Sequence, residues 1–165
     1  MCSSDLSKIS ETIITNGLTS VHTNNQYLRI NNVIIISGNA NVGTIRTRLS
    51  SATGTIVGSM APTTCRNKQG VFTVPAGYSA YILYGDISSY KNGSGNVSGL
   101  VEMHIRTGSS PFINAYTGIA ANGQYRSDFP IPFKVTATSD IDVRFAASGN
   151  GTSVACSWEM ILIPD

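Results

Sequence analysis

Only two histidines, His22 and His104, are available for acid–base or nucleophilic chemistry in this chain of 165 residues. A serine or cysteine nucleophile that relies on a histidine base would have to use one of them. His104 alternates with Glu102 and Arg106, which favours an exposed histidine on a solvated strand face. His22 lies in the polar stretch VHTNNQ, and an exposed side chain is favoured there too. The sequence contains no GxSxG or HExxH motif.

Glycoside hydrolysis requires two carboxylates about 5–10 Å apart. Six acidic residues at strand ends or alternating polar positions are candidates: Asp86, Glu102, Asp128, Asp140, Asp142 and Glu159. A structural role is favoured for each, although the sequence does not reveal spacing between strands. We therefore expect no catalytic residues and no enzyme, with a glycan-degrading enzyme as the least favoured alternative.

The cysteines indicate neither a disulfide framework nor a zinc site. Cys2, Cys65 and Cys156 are odd in number and lack CxxC spacing. The glycine-containing stretch TGTIVGSM has no lysine where a phosphate-binding loop requires one. We expect no metal and no cofactor.

The charge pattern argues against a nucleic-acid or membrane partner. Eleven basic and nine acidic residues are spread along the chain, giving a net charge of +2. One modest basic group comprises Arg46, Arg48, Arg66 and Lys68, and a solvated sheet face explains it better than a phosphate contact. The N-terminus lacks the features of a signal peptide, and the aliphatic run Val33–Ile36 is too short to span a bilayer. We expect a soluble chain made in the cytoplasm.

The composition favours short strands. Charged residues make up 12% of the chain and hydrophobic residues 41%, and much of the remainder is Gly, Ser, Thr and Asn. Turn-forming clusters recur at about the 8–12-residue spacing of sandwiches and barrels. The predicted strands are Asn32–Ser37, Thr44–Leu49, Gly54–Met60, Gly70–Val74, Tyr78–Ile87, Val97–Thr107, Phe112–Tyr116, Phe129–Val135, Ile141–Ala147 and Val154–Ile163.

We predict an all-β fold, an antiparallel, jelly-roll-like β-sandwich of about 8–10 strands. Residues 21–165 would form this single domain, and residues 1–20 an N-terminal arm in which SKISETIIT is either a short helix or extended. The cluster SGNGTS predicts a hairpin that pairs Ile141–Ala147 with Val154–Ile163. Pro130 and Pro132 predict an edge strand, with Phe129, Ile131 and Phe133 on its other face.

The run VPAGYSAYILYGD has tyrosines at every third position, Tyr78, Tyr81 and Tyr84. Turn residues precede it, and Gly85 is expected to end it, so a strand is favoured over a helix. Tyr78, Ala80, Ile82 and Tyr84 would then share one face.

The opposite face carries Ser79, Tyr81 and Leu83 and is also largely apolar. Ile161 and Ile163 have the same outward position in the last strand. Either another part of the domain or a neighbouring subunit should cover these side chains, and we predict the subunit.

Loop tyrosines and cations are the candidates for recognition of a glycan or a partner, because tyrosine offers contact area at low entropic cost. They are Tyr90, Lys91, Tyr116, Tyr125 and Arg126. Partial burial at the base of a loop is the alternative for the tyrosines.

Gly70 to Ile163 contains a succession of fold and turn patterns. They are Phe72–Gly77 (FTVPAG), the proline-flanked Phe129–Phe133 (FPIPF), Lys134–Ile141 (KVTATSDI) and Met160–Ile163 (MILI). In these segments the chain resembles the C-terminal part of structural proteins from tailed-bacteriophage virions.

The resemblance implies a capsid decoration protein, a head fibre or a tail-fibre module. It carries over no catalytic residue. The expected partners are other capsid or tail proteins and further copies of the chain, a trimer being favoured, and the expected location is the virion. The alternative is a fibre module that recognises host-surface carbohydrate.

Overall fold

The computed structural model describes residues 6–67, 69–91 and 95–165. The described residues form nine strands and no helix. The strands are β1 Ile45–Arg48, β2 Ile56–Met60, β3 Val71–Thr73, β4 Tyr78–Lys91, β5 Ser98–Thr107, β6 Ile113–Ala121, β7 Gln124–Val135, β8 Ser139–Ala147 and β9 Thr152–Pro164. In the described part of the chain no helix has the length and hydropathy needed to cross a membrane.

The chain divides into two compact units, Met1–Phe72 and Thr73–Asp165. The first unit contains the antiparallel pair β1–β2, in which Ile45 lies opposite Met60. The predicted strand Asn32–Ser37 is wrong, because this segment forms an isolated β-bridge between Ile34 and Arg66 instead of a strand. The assignment of an arm to residues 1–20 and one domain to residues 21–165 stays a prediction.

The N-terminal segment is extended rather than helical, as far as it is described. The Glu11 carboxylate accepts hydrogen bonds from the Asn24 backbone N–H at 2.7 Å and the Tyr27 hydroxyl at 2.7 Å, and further ones from Asn25. These hydrogen bonds hold the pKa of Glu11 down at about 2, the bond from Asn24 having the largest effect. The polar stretch of residues 24–27 therefore holds the N-terminal segment in place at Glu11.

The second unit is an antiparallel β-sandwich, as predicted. One of its sheets contains β8, β5 and β6 in that order, with Thr73, the last residue of β3, next to β8, and the other sheet has the order β7-β4-β9. The predicted hairpin is wrong: β8 pairs with β5, whereas β9 pairs with β4 in the other sheet. The turn cluster after β8 therefore carries the chain from one sheet to the other.

The core lies between the two sheets and follows the two-residue period of the strands. Ile87, Val101 and Ala120 are buried there. Five partly buried side chains pack against them: Tyr116, Val143, Val154, Cys156 and Trp158. Burial raises the pKa of the Cys156 thiol, as expected of a small hydrophobe in a core.

A buried carboxylate ties the strands of the four-stranded sheet together. Asp140 on β8 accepts a hydrogen bond of 2.7 Å from the Thr73 hydroxyl. It also accepts one of 3.1 Å from Arg106 Nε on β5. Asp140 is therefore a structural anchor, which removes it from the candidate catalytic carboxylates.

The edge-strand prediction for β7 is confirmed, because β7 has β4 as its partner on one side only within its sheet. The register of the β4–β7 pair shifts between the partners Ile82–Phe133 and Tyr84–Asp128. Pro130 and Pro132 lie in the unpaired part of β7 between Asp128 and Phe133. The predicted placement of Ile131 beside Phe129 and Phe133 is wrong, since Ile131 is 85% exposed while the phenylalanines are half-buried.

Candidate functional site

An extra residue in β4 decides which side chains reach the outer face, the side of the three-stranded sheet away from the core. Ile82 lies opposite Met160, but Tyr84 lies opposite Glu159, so Leu83 has no counterpart in β9. Such a bulge reverses the alternation of the strand. The predicted grouping of Tyr84 with Ala80 and Ile82 is therefore wrong.

Beyond the bulge, β4 directs Gly85, Ile87 and Ser89 to the core. Tyr84, Asp86, Ser88 and Tyr90 consequently point to the outer face. Gly85 does not end the strand, which continues to Lys91. The extra length places a row of polar side chains where the sequence predicted a turn.

Residues from both neighbouring strands complete the polar half of the outer face. Asp128 and Glu159 lie opposite Tyr84, Arg126 and Ser157 opposite Asp86, and Gln124 and Ala155 opposite Ser88. Directly opposite side chains in antiparallel strands stand about 5 Å apart at Cβ. The fold thus brings three of the six candidate carboxylates, Asp86, Asp128 and Glu159, to one surface.

Tyr84 is held between neighbours on both sides. Its hydroxyl donates a hydrogen bond to Glu159, and this bond raises the pKa of Tyr84. The Arg126 guanidinium lies over the Tyr84 ring at 3.9 Å and donates a hydrogen bond of 2.8 Å to Asp128. The hydrogen bond to Asp128 raises the pKa of Arg126, so the guanidinium is charged throughout the physiological range.

A cleft of about 360 Å³ opens beside this group. It is lined by polar and apolar residues of the three strands: Asp86, Ile87, Ser88, Gln124, Ala155, Cys156 and Ser157. Arg126 lies opposite Asp86 and Tyr90 follows Ser88 by two residues, and neither of them lines the cleft.

The other half of the outer face is apolar. Tyr81 lies opposite Ile161 on β9 and Lys134 on β7, and the Lys134 ammonium is 5.7 Å from the centre of the Tyr81 ring. Ile161 and Ile163 are 45% and 43% exposed, and Leu83 at the bulge is half-buried. We call Tyr81, Leu83, Ile161 and Ile163 the apolar half.

The predicted recognition residues are dispersed. Tyr90 and Lys91 end β4, where Tyr90 is 64% exposed, and Arg126 joins the polar half. Tyr116 instead packs edge-on against Trp158 and Phe129 between the sheets, a position that favours packing over recognition. Tyr125 lies opposite Ile87 and is partly exposed at the rim of the core.

Sequence reasoning missed Tyr84, Ser88, Gln124 and Ser157 as members of one surface. Strand alternation is the pattern that could have placed these residues on one face. The bulge at Leu83 exchanges the two faces of β4, and nothing in the local sequence marks the extra residue. Asp86, Asp128 and Glu159 were named singly, without their common location.

The other predicted chemical residues have structural partners or stand apart. His104 Nε2 lies 3.2 Å from Glu102, and Asp142 pairs with Arg144 at 2.8 Å. Arg48 donates to the Gly54 carbonyl, and Lys68 lies outside the described residues. Among the residues with described positions, no three His, Cys, Asp or Glu side chains form a group suited to a metal ion.

Comparison with protein-family models, with curated proteins and with solved structures found no match to this chain.

Proposed function

We propose that this protein is a non-enzymatic structural component of a tailed-bacteriophage virion. It attaches to the capsid or tail through contacts between subunits and acts as a homo-oligomer, most simply a trimer. The sequence resemblance over Gly70 to Ile163 motivates the proposal. The β-sandwich agrees with it, since a rigid sandwich needs no cofactor or metal to present a docking surface.

The observation that carries the proposal is the position of the apolar half beside an open strand edge. Ile161 and Ile163 belong to β9, which has β4 as its partner on one side within its sheet. Exposed apolar side chains next to unpaired backbone groups favour association. The polar half borders them, which matches the apolar centre and polar rim of subunit interfaces.

A second copy of the chain is the proposed occupant. Tyr81, Ile161 and Ile163 carry no charge, so an identical subunit that covers them and leaves Lys134 at the edge of the contact meets no electrostatic penalty there. We also propose the jelly-roll form of the sandwich, in which eight strands form two sheets. The two described sheets have four and three strands, and a strand supplied beside β9 would complete the set.

Binding of purified full-length protein to phage particles that lack it tests the attachment. We expect saturable, stoichiometric binding to capsids or tails, and reduced binding by Tyr81→Asp. Ile119→Asp is the matched control, because Ile119 is exposed on β6 of the other sheet. Failure of the wild-type chain to bind either structure would contradict the proposal.

A second function, recognition of a host-surface glycan, is favoured by the exposed ring of Tyr90 beside the polar half. Labelled protein should bind host cells, and Tyr90→Ala should reduce that binding while oligomerisation persists. No binding of the wild-type chain to cells would reject this second function and leave the structural one standing.

A further inference from the structure

The cleft in the polar half is lined by polar side chains from three strands, together with Ile87, Ala155 and Cys156. Asp86 and Ser88 on β4, Gln124 on β7 and Ser157 on β9 all contribute polar side chains. Over residues 6–67, 69–91 and 95–165, none of these four side chains makes a hydrogen bond or ion pair with another protein group, although the Asp86 carboxylate is near enough to Arg126 to help raise the pKa of that guanidinium. Their donors and acceptors are therefore available to a ligand.

We propose that this cleft binds one uncharged sugar residue of a glycan. The inference rests on the second function above and names its site and ligand class. The volume of about 360 Å³ is at the lower end of the range of small-molecule sites, about 300–1,000 Å³. A single sugar ring suits a cleft of this size better than a longer segment does.

The chemistry of the lining matches adjacent sugar hydroxyls. The Asp86 carboxylate accepts two hydroxyl protons, the Gln124 amide both donates and accepts, and the serine hydroxyls do either. A ligand rich in hydroxyl groups would satisfy all of them at once. An aliphatic ligand would leave them unpaired, which disfavours its binding.

Tyr90 supplies the aromatic surface that a sugar needs for its C–H face. Tyr90 follows Ser88 by two residues on the same face of β4, about 7 Å further along the strand. Its ring is exposed, whereas the ring of Tyr84 at the opposite end is covered by Arg126. Tyr90 and Arg126 stand outside the lining of the cleft, so a sugar bound there would contact the Tyr90 ring where it extends past Ser88.

Charge defines the ligand further. The polar half contains three carboxylates, Asp86, Asp128 and Glu159, and Arg126 is its one cation. Arg126 is already paired with Asp128. The remaining negative charge repels acidic sugars, so the cleft selects uncharged ones.

The test is an NMR titration of the full-length, ¹⁵N-labelled protein. The probes are methyl β-galactoside, methyl α-mannoside and N-acetylglucosamine, with N-acetylneuraminic acid as the acidic counterpart. We expect saturable chemical-shift changes at the backbone amides of Asp86, Ser88, Gln124 and Ser157 with at least one uncharged sugar. N-acetylneuraminic acid should bind more weakly.

Asp86→Ala should weaken that binding about tenfold or more, because it removes a charged acceptor. Tyr90→Ala is the second variant, since its exposed position does not support the fold. Asp142→Asn, on the outer face of the other sheet, should bind normally. The absence of saturable shifts with all three uncharged probes, unchanged affinity in Asp86→Ala, or equal binding of the acidic sugar would overturn the inference.

Binding to host cells distinguishes failure of this cleft as the site from failure of glycan recognition as the function. If wild-type protein and Asp86→Ala bind host cells equally, glycan recognition stands and this cleft is rejected as its site. If the titrated sugar is hydrolysed during the experiment, the non-catalytic assignment is rejected as well.

Discussion

Gly85 lies directly opposite Trp158 across the β4–β9 pair, so closely that a Cβ atom at Gly85 would overlap the indole ring. The glycine is thus part of the core packing and does not terminate a strand. Trp158 in turn stacks on Phe129 and meets Tyr116 edge-on, with ring centres 6.3 and 5.3 Å away. The aromatic cluster can pack in this way because residue 85 is a glycine and leaves room for the Trp158 ring.

Gly85→Ala should therefore destabilise the sandwich by about 1–3 kcal/mol, because the added methyl group displaces the ring. Urea unfolding followed by fluorescence measures this effect, since Trp158 is the only tryptophan in the chain. Gly149→Ala is the matched control: its added Cβ would meet no atom within 4 Å. Equal stability of the Gly85→Ala and Gly149→Ala variants would argue against the packing described.

Asp140→Asn should cost about 2–3 kcal/mol of unfolding free energy. The substitution leaves Arg106 without its buried counter-charge, and the partial exposure of Arg106 keeps the loss below that of a fully buried pair. Asp142→Asn, two residues along the same strand, breaks the more exposed pair with Arg144 and should cost less than about 1 kcal/mol. A similar loss in both variants would contradict the anchoring role of Asp140.

Glu11 should titrate with a midpoint near pH 2 in the folded protein, well below its ordinary 4.5. A lowered folded pKa stabilises the turn fully above the ordinary value, and this contribution is lost as the pH falls toward 2. NMR titration of the side-chain carboxyl carbon gives the midpoint directly. A midpoint close to 4.5 would show that the contacts with Asn24, Asn25 and Tyr27 do not form in solution.

The alternation of apolar residues predicted the all-β class and most strands, because each strand buries one face. Val101, Met103 and Ile105 are buried as that pattern requires. The same local pattern could not distinguish a hairpin from a connection between sheets, and for this reason the pairing of β8 with β9 was predicted wrongly. Both arrangements place the same side chains in the core.

The candidate site could be predicted from the sequence to a smaller extent than the fold. Its formation depends on the register shift at Leu83, which exchanges the faces of every later residue of β4. Tyr84 was assigned to the core side for this reason. Two strands distant in sequence, β7 and β9, contribute the remaining residues, and the local spacing of residues does not show which strands pair.

Sedimentation equilibrium of the full-length protein tests the central claim, assembly through the apolar half of the outer face. We predict a mass about three times the 17.5 kDa of one chain. Tyr81→Asp should shift the protein to monomer while its fluorescence unfolding curve stays close to wild type, and Ile119→Asp should remain assembled. A wild-type protein that is monomeric at every concentration, or a Tyr81→Asp variant that stays fully assembled, would contradict the claim.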